Sequence, residues 1–170
     1  MTLIHTALFA EAKPIIEYFR LKFITKKPYR VYKNENIILI VTGMEKNTYL
    51  LRDILEKEPI KKAINIGIAG CRDKNIEIGT LFIVNRKLKN IPYSTFTTST
   101  KPVNNPNEIQ TTLVDMEAKY FLEVTKDIKE VYIFKIVSDH LDIKIPNKRF
   151  VWGIIEENLE KIQRYILNFS

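Results

Sequence analysis

The stretch AINIGIAGC, Ala63–Cys71, decides the fold. Its apolar run Ala63–Ile66 leads into Gly67-Ile68-Ala69-Gly70, and the spacing predicts a buried strand over 63–68 that ends where a backbone can approach a ligand closely. Three other apolar runs end the same way. Leu3–Phe9 runs into Glu11, Ile37–Val41 into Thr42-Gly43, and Val131–Val137 into Ser138-Asp139. In a mainly parallel α/β sheet the ligand crevice lies outside the carboxyl ends of the strands. Four strand ends therefore deliver chemistry to one place.

The segments between these runs read as connections and helices. Glu11–Phe19 carries Ile15, Ile16 and Phe19 at helical spacing, and Pro14 fits its first turn. Arg30–Tyr32 and Ile37–Val41 flank Lys33-Asn34-Glu35-Asn36, a hairpin turn. Lys46–Glu58 places Leu50, Leu51, Ile54 and Leu55 on one face, and Pro59 ends that helix. Thr80–Val84 is a further strand after a polar loop, Gly70–Gly79. The irregular stretch Ile91–Glu108 holds three prolines and a short strand near Phe96–Thr98. Thr112–Val114 leads into a helix, Asp115–Lys126, with Asp115 as its cap. Tyr132–Val137 is a near-continuous apolar strand. Lys135 interrupts it, which predicts an edge or end that reaches solvent. Phe150–Asn168 closes the chain as a helix with Val151, Ile154, Ile155, Leu159, Ile162 and Ile166 on one side. The expectation is one α/β domain over residues 1–170, a three-layer fold in which helices flank a mixed, twisted sheet.

Length and composition bound the function. At 170 residues, 45% apolar and 28% charged, the chain can bury a real core. No apolar run approaches the roughly 20 residues of a membrane span, so no membrane partner is expected. The opening MTLIHTALFAEAK has no basic lead and reads as a strand, not a leader peptide. A single cysteine, Cys71, fits a reducing, cytoplasmic compartment. The net charge of +7 is spread as Lys26-Lys27, Lys61-Lys62 and Lys87–Lys89, without a basic arm, which argues against a nucleic-acid partner. It remains able to draw in small anions.

Few residues suit chemistry. Asp139 follows a buried strand between Ser138 and His140. Desolvation there would raise its pKa and make it a proton donor near neutrality, while a loop ion pair or cap explains the same position. Glu117 and Glu11 stand at helix starts. The helix dipole favours acids there by about 0.3–1 kcal/mol, and a ligand-hydroxyl acceptor is the alternative. Gly67–Gly70 offers backbone N–H groups to an anion or a ring nitrogen, or is simply a turn. It is too short for a dinucleotide fingerprint. His5, His140 and Cys71 are too scattered for a zinc site, and Cys71 has no His–acid pair to activate it. No metal or organic cofactor is expected.

Taken in order, ALFAEAKPI, IILIVTGMEKN, AINIGIAGCRDKNIEIGTLFIV, TTSTKPV, LVDMEAKYF and FKIVSDHLD resemble the purine nucleoside phosphorylase and methylthioadenosine/S-adenosylhomocysteine nucleosidase superfamily. The resemblance reaches from Ala7 to Asp142 and rests on the ordered set N-x-G-x-A-G, D-M-E-A and S-D. It implies cleavage of the N-glycosidic bond of a purine nucleoside or thionucleoside. Asp139 then matches the acid that protonates N7 of the leaving purine, with Ser138 orienting it. Glu117 and Met116 match residues that hold the ribose. Glu11 matches the glutamate that positions the attacking water. Ala69 and Gly70 match the floor under base and sugar, and Val103 the segment touching the base. Thr42 lies at the turn where a phosphate would sit. In this scheme Asp139 is the dry carboxyl, and Glu11 and Glu117 are the wetter ones.

The sequence departs from the pattern in three places. It is short between Leu88 and Thr95, which leaves the site open or completed by another subunit. Glu45 stands where relatives commonly have glycine, and Ile68 where they often carry a hydroxyl. No arginine matches a phosphate site. These departures favour water over phosphate as nucleophile. The resemblance thus implies a nucleosidase, with a phosphorylase or a non-catalytic nucleoside-binding protein as alternatives. A homodimer or higher homo-oligomer is the association it implies.

Overall fold

The glycine-bearing strand lies at the centre of the sheet. The computed structural model describes residues 1–142 and 146–167. Strand β5 (Lys62–Cys71) pairs in parallel with β1 (Thr2–Thr6) on one edge and with β9 (Glu130–Asp139) on the other. Beyond β1 lie β4 (Ile37–Val41), parallel to it, and then β3 (Arg30–Lys33) and β2 (Lys22–Thr25), each antiparallel to its neighbour. β6 (Leu81–Ile83) runs antiparallel on β9. The far end of β5 pairs antiparallel with β8 (Leu113–Asp115), which carries β7 (Phe96–Thr98) in parallel. The sheet is therefore mixed, with nine strands among the described residues.

Alternation along the central strands sorts the core into two layers. Ile4, Ile64, Ile66, Phe134 and Ile136 face helices α1 (Phe9–Tyr18) and α4 (Lys148–Ile166). Leu3, Ala63, Ala69, Ile133 and Val137 face α2 (Leu51–Lys57) and α3 (Ala118–Val124), which contribute Leu51, Ala118 and Phe121. Period-2 side chains on strands buried on both faces force this arrangement. No helix among the described residues is long and apolar enough to cross a membrane.

The structure moves several boundaries. The first apolar run stops being a strand at Thr6, and Phe9 already belongs to α1. The helix expected over 46–58 divides into a 3-10 turn, Glu45–Leu50, and a shorter α2. Glu45 at φ 58° starts the segment in the left-handed region, a poor entry to a regular helix. Asp115 ends β8, yet its Oδ2 accepts from the N–H groups of Glu117 and Ala118, so it caps the helix from two residues before the N-cap Glu117. The strand β2, Lys-Phe-Ile-Thr, shows no apolar alternation, and three of its four residues are exposed. The final helix matches its expected face, with Asn168 outside the described residues.

The largest correction concerns Lys135. It does not mark an edge: β9 lies between β5 and β6, and Lys135 is 1% exposed. A lysine buried this deeply needs partners, and they define the site.

Candidate active site

The carboxyl ends of β1, β5, β8 and β9 surround a cavity of about 280 Å³. Its wall includes Glu11, Glu117, Asp139 and Ser138, together with Met116, Ala69, Gly70 and Val103. Residues separated by more than a hundred positions thus meet around one hollow. Thr42 is not part of the wall. Its hydroxyl donates to the Gly43 carbonyl at 2.9 Å and meets His5 Nε2 at 2.8 Å, so it braces the turn behind the cavity.

Glu11 is fixed by the start of α1. Its Oε2 accepts from the N–H groups of Ala7 and Leu8 at 3.1 and 2.9 Å, and its Oε1 accepts from Ile68 N–H at 3.0 Å. The amide at the glycine-rich segment therefore meets the protein's own carboxylate, not a free anion. Burial raises the Glu11 pKa; the nearby Lys135 and the three amides pull against that rise. Gly67 makes the approach possible. A Cβ there would lie 3.1 Å from both Glu11 Oε1 and Lys135 Nζ.

Lys135 holds the carboxylates together from below. Its Nζ lies 2.8 Å from Asp115 Oδ2 and 3.8 Å from Glu117 Oε2. The first contact is an ion pair without the alignment of a hydrogen bond. Burial works to neutralise the amine, but Asp115, Glu117 and Glu11 outweigh it, and the Lys135 pKa is raised. Glu117 is pushed up to about 7, chiefly by burial; Glu11 and Asp115 add to the rise, while Lys135 and a backbone hydrogen bond from Glu45 oppose it. Three carboxyls crowd one ammonium, so one of them is readily protonated.

Asp139 differs from these. It is half-buried, whereas Glu11 and Glu117 are buried, so the expected order of dry and wet carboxyls is inverted. Its Oδ2 accepts from Ser138 Oγ at 2.7 Å and its Oδ1 from Leu141 N–H at 2.8 Å. Gly70 permits this placement, since a Cβ would fall 3.2 Å from Asp139 Oδ1 and 2.8 Å from Leu141 Cδ2. Val103 packs on Val114 and Leu141 at the same end. The cavity thus has an apolar end beside Asp139.

The sequence names two residues without revealing their roles at the site. Lys135 was hidden by its apolar neighbours, although a lysine inside an apolar run was itself a signal. His5 is the other. It is fully buried, its Nδ1 faces Asn65 Nδ2 at 2.9 Å, and its ring stacks on Phe121 with 5.5 Å between centroids. Asn65 donating to Nδ1 leaves Nε2–H to donate to Thr42. Burial, with Lys135 nearby, lowers its pKa to about 3, so His5 is neutral. Among the described residues no group of three or more side chains is arranged to hold a metal ion.

Comparison with known proteins bears on the fold. No family model matches the chain, and no curated protein matches its sequence. Solved structures do. A futalosine hydrolase mutant of Helicobacter pylori superposes with a TM-score of 0.81 at 13% identity, covering 99% of each chain. A variant of the 5′-methylthioadenosine/S-adenosylhomocysteine nucleosidase (MTAN) of Helicobacter pylori, solved with 5′-methylthioadenosine in its active site, gives 0.80 at 14% identity over 97% of each chain. An MTAN variant from Chlamydia trachomatis gives 0.74 at 18% identity over 98% of each. The chain has the fold of these nucleosidases. The likeness runs nearly end to end.

Proposed function

We propose that the protein is a nucleosidase that hydrolyses the N-glycosidic bond of a purine nucleoside or thionucleoside. The observation that carries this reading is the convergence of Glu11, Glu117 and Asp139 on one cavity from three separate strand ends. Cleavage of such a bond develops positive charge on the sugar and negative charge on the departing purine. Asp139 stands at the apolar end, where the base fits, and delivers a proton to N7 while Ser138 Oγ holds its carboxyl plane. Glu117 accepts hydrogen bonds from the ribose hydroxyls, and Met116 packs on the sugar. Glu11 positions the attacking water and takes its proton. General acid–base help of this kind contributes about 10²–10⁴-fold per group, and charges already in place add to it.

The electrostatics of the wall favour water over phosphate. Among the described residues, Glu11, Asp115, Glu117, Asp139 and Asp142 line the cavity, together with the cation Lys101. Phosphate would enter this field without an arginine to receive it. The reading needs no metal or organic cofactor. The single buried thiol, Cys71, supports a reducing, cytoplasmic setting. Met44, part of the wall yet 48% exposed, supports cover by a second copy in a homo-oligomer, which sedimentation velocity will test.

The direct assay follows purine release from methylthioadenosine, S-adenosylhomocysteine, adenosine, inosine and futalosine, with and without phosphate. Release in phosphate-free buffer is expected. An absolute requirement for phosphate would make the protein a phosphorylase, and tight binding without turnover would make it a binding module.

A further inference from the structure

The turn after β9 holds a leucine in a conformation that leucine avoids. Leu141 sits at φ 65°, in the left-handed region, and is 4% exposed. The Cβ of an L-residue crowds its own carbonyl there, so surrounding contacts must hold the turn in place. Two contacts do so. The Leu141 side chain fills the space left by the missing Cβ of Gly70 and packs with Ile109 and Val114. His140 Nε2–H donates to the carbonyl of Ile76 at 2.6 Å, tying the turn to the loop between β5 and β6. The strained turn has one evident product: Leu141 N–H aims at Asp139 Oδ1, opposite the Ser138 hydroxyl on Oδ2.

We propose that His140 is a positioning residue for Asp139, clamping the turn so that the carboxyl plane faces the base end of the cavity. The proposal rests on the nucleosidase reading for its catalytic consequence, and on geometry alone for the clamp. The Ile76 carbonyl can only accept, so Nε2 carries the hydrogen of this contact and the clamp depends on a donor at that reach. A side chain that keeps a donor at the same reach keeps the clamp, and one that lacks it releases Asp139.

The test compares His140→Phe with His140→Gln, whose amide nitrogen reaches about as far as Nε2. Misplacing a catalytic group by a fraction of an ångström to an ångström costs on the order of 10- to 100-fold in turnover. His140→Phe is therefore expected to lose kcat on that scale while KM stays within about threefold, because the residue touches no substrate. His140→Gln is expected to recover most of the loss. In parallel, hydrogen exchange at the Leu141 amide is expected to quicken about tenfold in the phenylalanine variant and not in the glutamine variant. Equal kcat in wild type and His140→Phe, or equal losses in both variants, would overturn the proposal. If the wild type releases purine from no nucleoside, the nucleosidase reading fails. The Leu141 exchange rates still decide the clamp: quickening confined to His140→Phe supports it, and unchanged exchange overturns it.

Discussion

Replacing Lys135 by methionine tests the electrostatic core of the site. Methionine is unbranched like lysine and one atom shorter, so the change removes a charge and little volume. At an effective dielectric constant near 20, the 2.8 Å separation from Asp115 corresponds to about 6 kcal/mol of attraction, and the 3.8 Å separation from Glu117 to about 4 kcal/mol. Desolvation of the ammonium, several kcal/mol in a site this dry, offsets much of that sum. What remains is the cost of stranding Asp115, Glu117 and Glu11 without a cation. Breaking a buried pair on one side costs about 3–5 kcal/mol.

The sign with pH separates this account from a simple packing defect. Without Lys135 the buried carboxyls escape by taking up protons, so the native variant binds more protons than the native wild type. Each extra proton makes the destabilisation shrink by about 1.4 kcal/mol per unit as pH falls. Urea unfolding at pH 8 is expected to show the full 3–5 kcal/mol loss (about that range), and unfolding at pH 5.5 a much smaller one. A loss below about 1 kcal/mol at pH 8 would refute the reasoning, as would an equal loss at both pH values.

The other predictions address single groups. Asp139→Asn should lower turnover by about 10²–10⁴-fold while the free energy of unfolding moves by less than about 1 kcal/mol, measured by purine release and urea titration. Glu117, pushed up to about 7, must ionise to serve the ribose hydroxyls, so kcat/KM should rise with pH through that region, and Glu117→Gln should remove the inflection. For stability the same shift runs the other way: the contribution is full below the ordinary carboxyl range and is lost as pH rises through about 7. Glu117→Gln should therefore weaken the fall in unfolding free energy between pH 5 and 8. Glu45→Gly relieves a left-handed residue at φ 58° and should stabilise the protein by about 1 kcal/mol in calorimetry.

How much of this was legible depends on what a residue's neighbours in sequence can reveal. The buried strands were legible because apolar runs of five or six residues have few other uses, and their polar endings marked the rim of the cavity. The face of α4 was legible from period alone. Strand β2 was not, because Lys22, Phe23 and Ile24 are exposed and only pairing with β3 makes them a strand. The break between Glu45–Leu50 and α2 was missed because helical spacing says nothing about a positive φ. The dryness of each carboxyl was misjudged for a deeper reason. Asp139 follows a near-continuous apolar run, yet that strand ends at the rim and leaves Asp139 half-buried. Glu11 follows the shorter strand β1, but its helix folds it back over β5, where Ile68 N–H and Lys135 lie.

Burial of an acid is therefore set by which strand lies beside it, and that is a property of strand order, not of flanking residues. β5 places Gly67 between Glu11 from β1's side and Lys135 from β9's side, and any side chain at 67 would part them. Gly67→Ala is the sharpest expression of this point. Its Cβ, at 3.1 Å from Glu11 Oε1 and from Lys135 Nζ, must displace one of two buried charges held by several partners each. Neither is the loose end of a flexible surface chain. The expected result is a stability loss of about 1–3 kcal/mol together with a fall in turnover larger than that for an alanine placed at Gly153, where a Cβ meets nothing within 4 Å. Equal, small effects at the two glycines would mean that the Glu11–Lys135 approach carries no weight in the site.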